Sequence, residues 1–205
     1  MRKLLLTTAA VAAAICLAGC GKKESVPETP NTFTDTRDGQ TYKTVKIGKQ
    51  TWMAQNLNYQ TDSSWCYENS TDSCNKYGRL YNWNAAKKAC PTGWKLPDTA
   101  DWNRLVTAVG GKETAGRKLK AKSEWNTNGN GTDNHGFSAL PGGFSFSCCA
   151  FILAGNVGFW WTATPSEYSN DKADDRSIAA IYDDVDENDN DKNSGHSVRC
   201  VADRP

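Results

Sequence analysis

Residues 93–105 read "GWKLPDTADWNRL", and the parsing of this phrase decides what kind of fold the chain can have. Pro97 disfavours a helical residue before it, so Trp94 to Leu96 is a short extended segment. Asp98 or Thr99 is a good N-cap, and Asp101 lies close enough to the helix start to favour its dipole. Beyond the cap, Trp102, Leu105, Val106 and Val109 fall at i, i+3, i+4 and i+7, one apolar stripe of a helix, which Gly110-Gly111 ends. Each residue type has a structural duty: extend, turn, cap or bury. Asp98 and Asp101 are therefore read as caps rather than catalytic carboxylates. The phrase is the strand-to-helix junction of an α+β domain.

Working outward, "LYNWNAAKKAC" (Leu80–Cys90) has helical spacing, with Leu80 and Trp83 three apart and Pro91 as its stop. Thr32 to Gln55 reads as a β-meander whose turns fall at Asp38-Gly39 and Gly48-Lys49. Tyr59 to Tyr77 is polar and rich in Ser, Thr and Asn. After the central helix, a second short helix is predicted over Thr114–Ala121, then a polar loop over Asn126–Gly136. Phe137 to Trp161 is the most apolar part, with Pro141-Gly142-Gly143 as a turn inside it and Gly158–Thr162 as a buried strand. Ser177–Tyr182 and Ser197–Ala202 look like paired strands joined by the acidic stretch Asp183–Asp191. Five of the eight tryptophans, Trp52, Trp83, Trp94, Trp102 and Trp160, are assigned to the core.

The N-terminus has the form of an export signal. Arg2 and Lys3 precede an uncharged apolar run, Leu4 to Ile15, too short to span a bilayer as a helix. Leu17-Ala18-Gly19-Cys20 resembles a bacterial lipobox, so Cys20 is the expected lipidation site, and two or three acyl chains there anchor stably. Gly21 after the cysteine favours the outer membrane. The expected organisation is a signal peptide over 1–19, a lipidated polar tether over 20–31 and one domain over 32–205, within the ordinary size range. With Arg2 and Lys3 removed, 22 bases face 23 acids, a net of −1. That is no nucleic-acid footprint. The expected partners are the membrane, through the anchor, and a polysaccharide or an envelope protein.

Cysteine usage fits an oxidising compartment. Setting aside Cys16 in the signal and Cys20 at the anchor leaves Cys66, Cys74, Cys90, Cys148, Cys149 and Cys200. Sequence alone cannot choose among their pairings. Proximity favours Cys66 with Cys74, a short clip of about 2.5 kcal/mol in the chain-entropy model. A bridge from Cys90 to Cys200 would be worth about 4.7 kcal/mol.

Five segments in this order resemble a known family, the Fibrobacter succinogenes major paralogous domain of bacterial surface lipoproteins. They are "QTWMAQNLNY" (Gln50–Tyr59), "YGRLYNWNAAKKACPTGWKLP" (Tyr77–Pro97), "NGTDNHGFSALPGG" (Asn130–Gly143), "GFWWTAT" (Gly158–Thr164) and "SVRCVAD" (Ser197–Asp203). The resemblance implies a C-type lectin-like fold: two short helices on small antiparallel sheets, long loops and disulfide stabilisation. It implies that Cys90 is bridged to Cys200, and it maps a loop pair to Cys66 and Cys74. One departure is "FSFSCCAFILAG" (Phe144–Gly155), where relatives carry glycine and polar residues. Cys148-Cys149 there is open to a vicinal disulfide, a buried thiol pair or a bond to another chain, with the first two favoured.

Three functions compete. The first is a surface-displayed binding or adhesion module, because loops over a rigid sheet carry function. The loop aromatics Trp65, Tyr67, Trp125 and Tyr168 are the candidates for stacking on sugar rings; the alternative is that each packs under its own loop. Calcium-dependent sugar binding lacks its motifs: no Glu-Pro-Asn occurs, and no Trp-Asn pair is followed by Asp. The acidic stretch offers Asp184, Asp186 and Asp189 as weak metal candidates. An EF-hand would need glycine at the sixth position, which is Asp189, so the stretch reads as a solvated hairpin tip. The second function is a structural or protein-binding role in the envelope. The third, an oxidase like the formylglycine-generating enzymes, is disfavoured because Cys90 and Cys200 are better spent on a bridge. No Walker, Rossmann or zinc spacing occurs, so no cofactor is expected. His135 and His196 are both read as surface residues.

Overall fold

The computed structural model describes residues 31–147 and 149–203. The signal peptide, Cys20 and nearly all of the tether lie outside the described residues, as does Cys148. The N-terminal meander is formed by β1 (Thr32–Thr34), β2 (Thr41–Ile47) and β3 (Gln50–Met53), with Gly39 and Gly48 at positive φ in the two turns. After β4 (Ser64–Trp65), a 3-10 turn (Tyr67–Asn69) and α1 (Thr71–Tyr77) occupy what reads in sequence as a polar loop. The bridge from Cys66 to Cys74 straps that turn to the helix. Then come β5 (Leu80–Tyr81), α2 (Trp83–Ala89) and β6 (Trp94–Lys95). Helix α2 starts later than its spacing suggests, because the Asn82 side chain accepts from the Ala85 N–H and caps it there.

The junction phrase folds as read. Asp98 caps α3 (Thr99–Ala108), and Asp101 accepts from the Asp98 N–H, closing a capping box. Burial raises the Asp101 carboxyl, but Lys95 and Arg104 outweigh it and hold the group below its ordinary value. Trp102, Leu105 and Val109 are buried. Helix α4 (Lys112–Leu119) follows, making four short helices among the described residues rather than two.

The C-terminal half differs more from the sequence reading. Pro141-Gly142-Gly143 is not a turn: Gly142 opens β7 (Gly142–Phe146), which pairs with β8 (Ala150–Ala154) as a hairpin. Gly143 has φ +66, and a Cβ there would lie 2.4 Å from the Ile152 carbonyl, so the two strands meet only at a glycine. Strands β9 (Val157–Pro165), β10 (Lys172–Ala179) and β11 (Asp186–Asp191) run antiparallel in succession. The acidic stretch is thus largely a strand, not a hairpin tip. Residues 177–182 and 197–202 do not pair with each other. Instead β12 (His196–Ser197) joins β9 to β5, and β13 (Val201–Ala202) lies between β3 and β6. The result is a mixed α+β domain with one sheet in the order β1-β2-β3-β13-β6 and another in the order β11-β10-β9-β12-β5-β4. The bridge from Cys90 to Cys200 ties the end of α2 to the approach of β13.

Two cores lie on either side of β9. Adjacent strand residues face opposite ways, so Trp160 enters one core with Trp52, Trp102, Leu105 and Phe137, while Trp161 enters the other with Tyr81, Trp83, Leu96 and Val198. His196, expected at the surface, is fully buried and stacks on Trp161 with ring centroids 4.1 Å apart.

A polar knot joins these layers. Arg199 is buried, and its Nε and Nη2 donate to Asn56 Oδ1 at 3.0 and 2.7 Å. The same oxygen accepts from Trp160 Nε1 at 2.9 Å. Arg199 Nη1 donates to the Phe137 carbonyl, and the guanidinium lies 4.3 Å from the Phe137 ring centroid. Asn56 Nδ2 in turn donates to the Tyr77 carbonyl at 2.8 Å. Removing one partner of a buried charge leaves the charge uncompensated. Asn56→Ala is expected to lower the unfolding free energy by about 3 kcal/mol or more, read from urea denaturation. The exposed control Asn134→Ala should stay within about 0.5 kcal/mol.

Candidate functional site

The sequence singles out four loop aromatics, and the fold separates them. Trp125 is only 4% exposed, packs in the Trp52 core and donates its indole N–H to the Ala139 carbonyl at 3.0 Å. It is a core residue in a polar segment. Trp65 lies half-buried in β4, and Tyr67 is half-buried with its ring 5.4 Å from Phe151. Tyr168 alone stands free, 93% exposed in the β9–β10 connection.

Beside Tyr168 a cleft of about 410 Å³ is lined by Asp174, Arg176, Glu187, Asn188 and Asp189. Its polar character follows from strand register. Asp174 pairs with Asp189 and Arg176 with Glu187 across the β10–β11 ladder, so these four share one face. Asp174 accepts from Thr99 Oγ1 of α3 at 3.1 Å. Asp189 accepts from Ser166 Oγ at 2.7 Å and Lys172 Nζ at 3.1 Å, which hold its carboxyl below the usual range. Arg176 is buried at the floor, donating to Asn103 Oδ1 with Glu187 at 3.7 Å, and burial lowers its pKa. The Tyr168 N–H donates to Ser166 Oγ, so the loop bearing the ring is tied through Ser166 to Asp189. An aromatic platform next to fixed carboxylates, themselves underlain by the buried Arg176, can stack on one face of a polyhydroxylated ring and bond its hydroxyls.

Asp184, Asp186 and Asp189 are not gathered by the fold. Asp186 and Asp189 are three apart on one strand and so face opposite sides, and Asp186 is paired with Ser177. No group of three His, Cys, Asp or Glu that could hold a metal ion occurs among the described residues. The bridges Cys66–Cys74 and Cys90–Cys200 are both formed. Cys149 is exposed and disulfide-bonded, so it is not a buried thiol.

Sequence reasoning missed Asp174, Arg176, Glu187 and Asn188. The available signal was that "KADDRS" and "DENDND" each place charges at alternate positions, so that pairing them aligns charges on one face.

The opposite face of the same ladder is held by a buried carboxylate. Asp175 accepts from Asn190 Nδ2 and from Asn188 Nδ2 at 3.4 Å, and its Oδ2 lies 3.6 Å from His196 Nδ1. Burial pushes Asp175 up to about 6 and His196 down to about 3. The two shifts act on stability with opposite sign. The acid's raised value gives stability present below its unfolded pKa and lost as pH rises through 6. The histidine's lowered value gives stability present above 6.5 and lost as pH falls toward 3. Between about pH 4 and pH 6 the folded pair holds one proton, wherever it sits, and so does the unfolded pair, so the slopes cancel. Asp175→Asn removes one side of that balance. The variant is expected to lose stability, on the order of 2–3 kcal/mol, between about pH 6 and pH 4, with the parent nearly flat over that window, by chemical denaturation at each pH.

A family comparison matches residues 45–202 to the Fibrobacter succinogenes major domain. No curated protein and no solved structure matches the chain.

Proposed function

The chain belongs to the Fibrobacter succinogenes major domain family, and on that premise we propose that it is a binding module of the bacterial envelope, anchored to the outer membrane through acylated Cys20, whose cleft beside Tyr168 holds a polysaccharide. The observation that carries this reading is the 93% exposed Tyr168 ring beside a cleft of fixed hydrogen-bonding groups. A free ring set beside convergent polar groups offers an apolar face for stacking and fixed partners for hydroxyls, the combination a sugar ring takes up. The carboxylates of the cleft are engaged by Thr99, Ser166 and Lys172, an arrangement suited to holding hydroxyls rather than to proton transfer.

The fold of the module is C-type lectin-like. Support comes from the return of β13 to the N-terminal sheet and from the bridge joining α2 to that last strand.

Retention on a panel of insoluble plant polysaccharides and soluble glycans tests the reading. Tyr168→Ala is expected to weaken retention roughly tenfold or more, the loss of one ring–sugar stack, with no change in thermal midpoint. Trp125→Ala should instead destabilise the fold by about 3–5 kcal/mol. A parent domain retained on no polysaccharide would transfer the cleft to a protein partner.

A further inference from the structure

From Gly136 to Ser166 the chain contains no Asp, Glu, Lys, Arg or His. Part of this stretch forms buried β9, but part stands out as the β7–β8 hairpin. The hairpin is joined to β9 at the Gly143–Gly158 pair and to Gly195 through Ser145. Phe144 turns inward onto Phe159 and His196, and Phe151 covers Tyr67. The residues nearer the tip are less covered: Phe146, with its ring edge-on to Phe144 at 4.7 Å, is still 55% exposed, Ile152 38% and Leu153 39%, with Ala150 and Cys149 also exposed.

We propose that this hairpin tip is a membrane contact, with Phe146, Ile152 and Leu153 entering the boundary between headgroups and acyl chains of the bilayer. Two observations select a lipid surface over a second protein. Protein interfaces surround an apolar centre with a polar rim, whereas the hairpin and its flanks in sequence lack charge, so that insertion beside acyl chains buries no ion of their own. The edge is also ill-suited to adding a strand. Leu153 has φ +68 opposite Gly143, which interrupts the β8 ladder between its pairs Ile152–Phe144 and Ala154–Gly142, and a short edge strand whose backbone turns to positive φ part-way is a poor template for pairing.

Tether length supplies the third argument, which rests on the anchoring at Cys20. Residues 21–30 separate that cysteine from the first described residue. Fully extended, the eleven steps from Cys20 to Asn31 reach at most about 40 Å, roughly the diameter of a domain this size. The domain therefore stays within about its own width of the bilayer, which keeps its surface within reach of lipid.

The experiment uses the mature chain from residue 20 carrying Cys20→Ser, folded under oxidising conditions, so that no acyl chain contributes. It is floated with vesicles of phosphatidylcholine and with vesicles also containing phosphatidylglycerol. The expected result is flotation with both, insensitive to salt. The double variant Phe146→Ser, Ile152→Ser should lower partitioning roughly tenfold or more while keeping a cooperative thermal transition, since both side chains are partly exposed. Absence of flotation with either vesicle, or equal flotation of the double variant, overturns the proposal. Flotation only with anionic vesicles and abolished by salt also overturns it, in favour of a basic surface. A concentration-dependent dimer in sedimentation, lost in the variant and without vesicle binding, would assign the hairpin to a second copy instead. None of these outcomes depends on glycan retention.

Discussion

The guanidinium of Arg199 is a positive charge inside the protein with no carboxylate within ion-pairing distance among the described residues. Burial brings its pKa down to about 9, so it is still protonated at neutral pH. Its charge is answered by the Asn56 amide oxygen, by backbone carbonyls of Phe137 and Ser138 and by the face of the Phe137 ring. A buried network of this kind is valuable only when every member is satisfied. The members come from each of the five family segments: Asn56, Tyr77, Phe137 with Ser138, Trp160 and Arg199. Why those stretches of sequence belong together is thus a matter of one cation and its acceptors.

Around that knot, β9 acts as a partition between two tryptophan-rich cores, and its outer neighbours carry the candidate site. The β10–β11 ladder shows one face to the cleft and the other to Asp175 and His196. Asn188 and Asn190 bind Asp175 and so fasten the edge strand that presents Glu187 and Asp189. The cleft is accordingly built on a pinned sheet edge rather than on a free loop. Tyr168 is the exception, held through its N–H to Ser166.

What was legible in sequence was local. The meander followed from its turn dipeptides, the helix α3 from Pro97, its cap and its apolar stripe, and the short bridge from proximity. What was not legible depends on distant partners. Asp and Asn are poor strand formers, and β11 is a strand because β10 offers it a ladder in register. His196 sits among polar neighbours in sequence, and its burial comes from Trp161, thirty-odd residues away in the chain. Trp125 was drawn toward solvent by the polar company it keeps, yet its indole N–H reaches Ala139 and its ring fills the core. Only Tyr168, of the four aromatics, matches the exposure its surroundings suggest. Its companions were hidden because two polar strands leave no hydrophobic period to follow.

The knot also sets a schedule. Asn56 and Arg199 are 143 residues apart, and Cys200, which closes the long bridge, follows directly after Arg199. A polypeptide emerging from its site of synthesis, amino end first, presents the acceptors long before their donor. Until residue 199 arrives, the Asn56 oxygen and the Phe137 carbonyl have no cation to receive, and β13 is missing from the middle of its sheet. Long-range closure of this sort is slow and comes late. The domain is therefore built to remain open while most of its length is being made, and it closes only when its last strand is available.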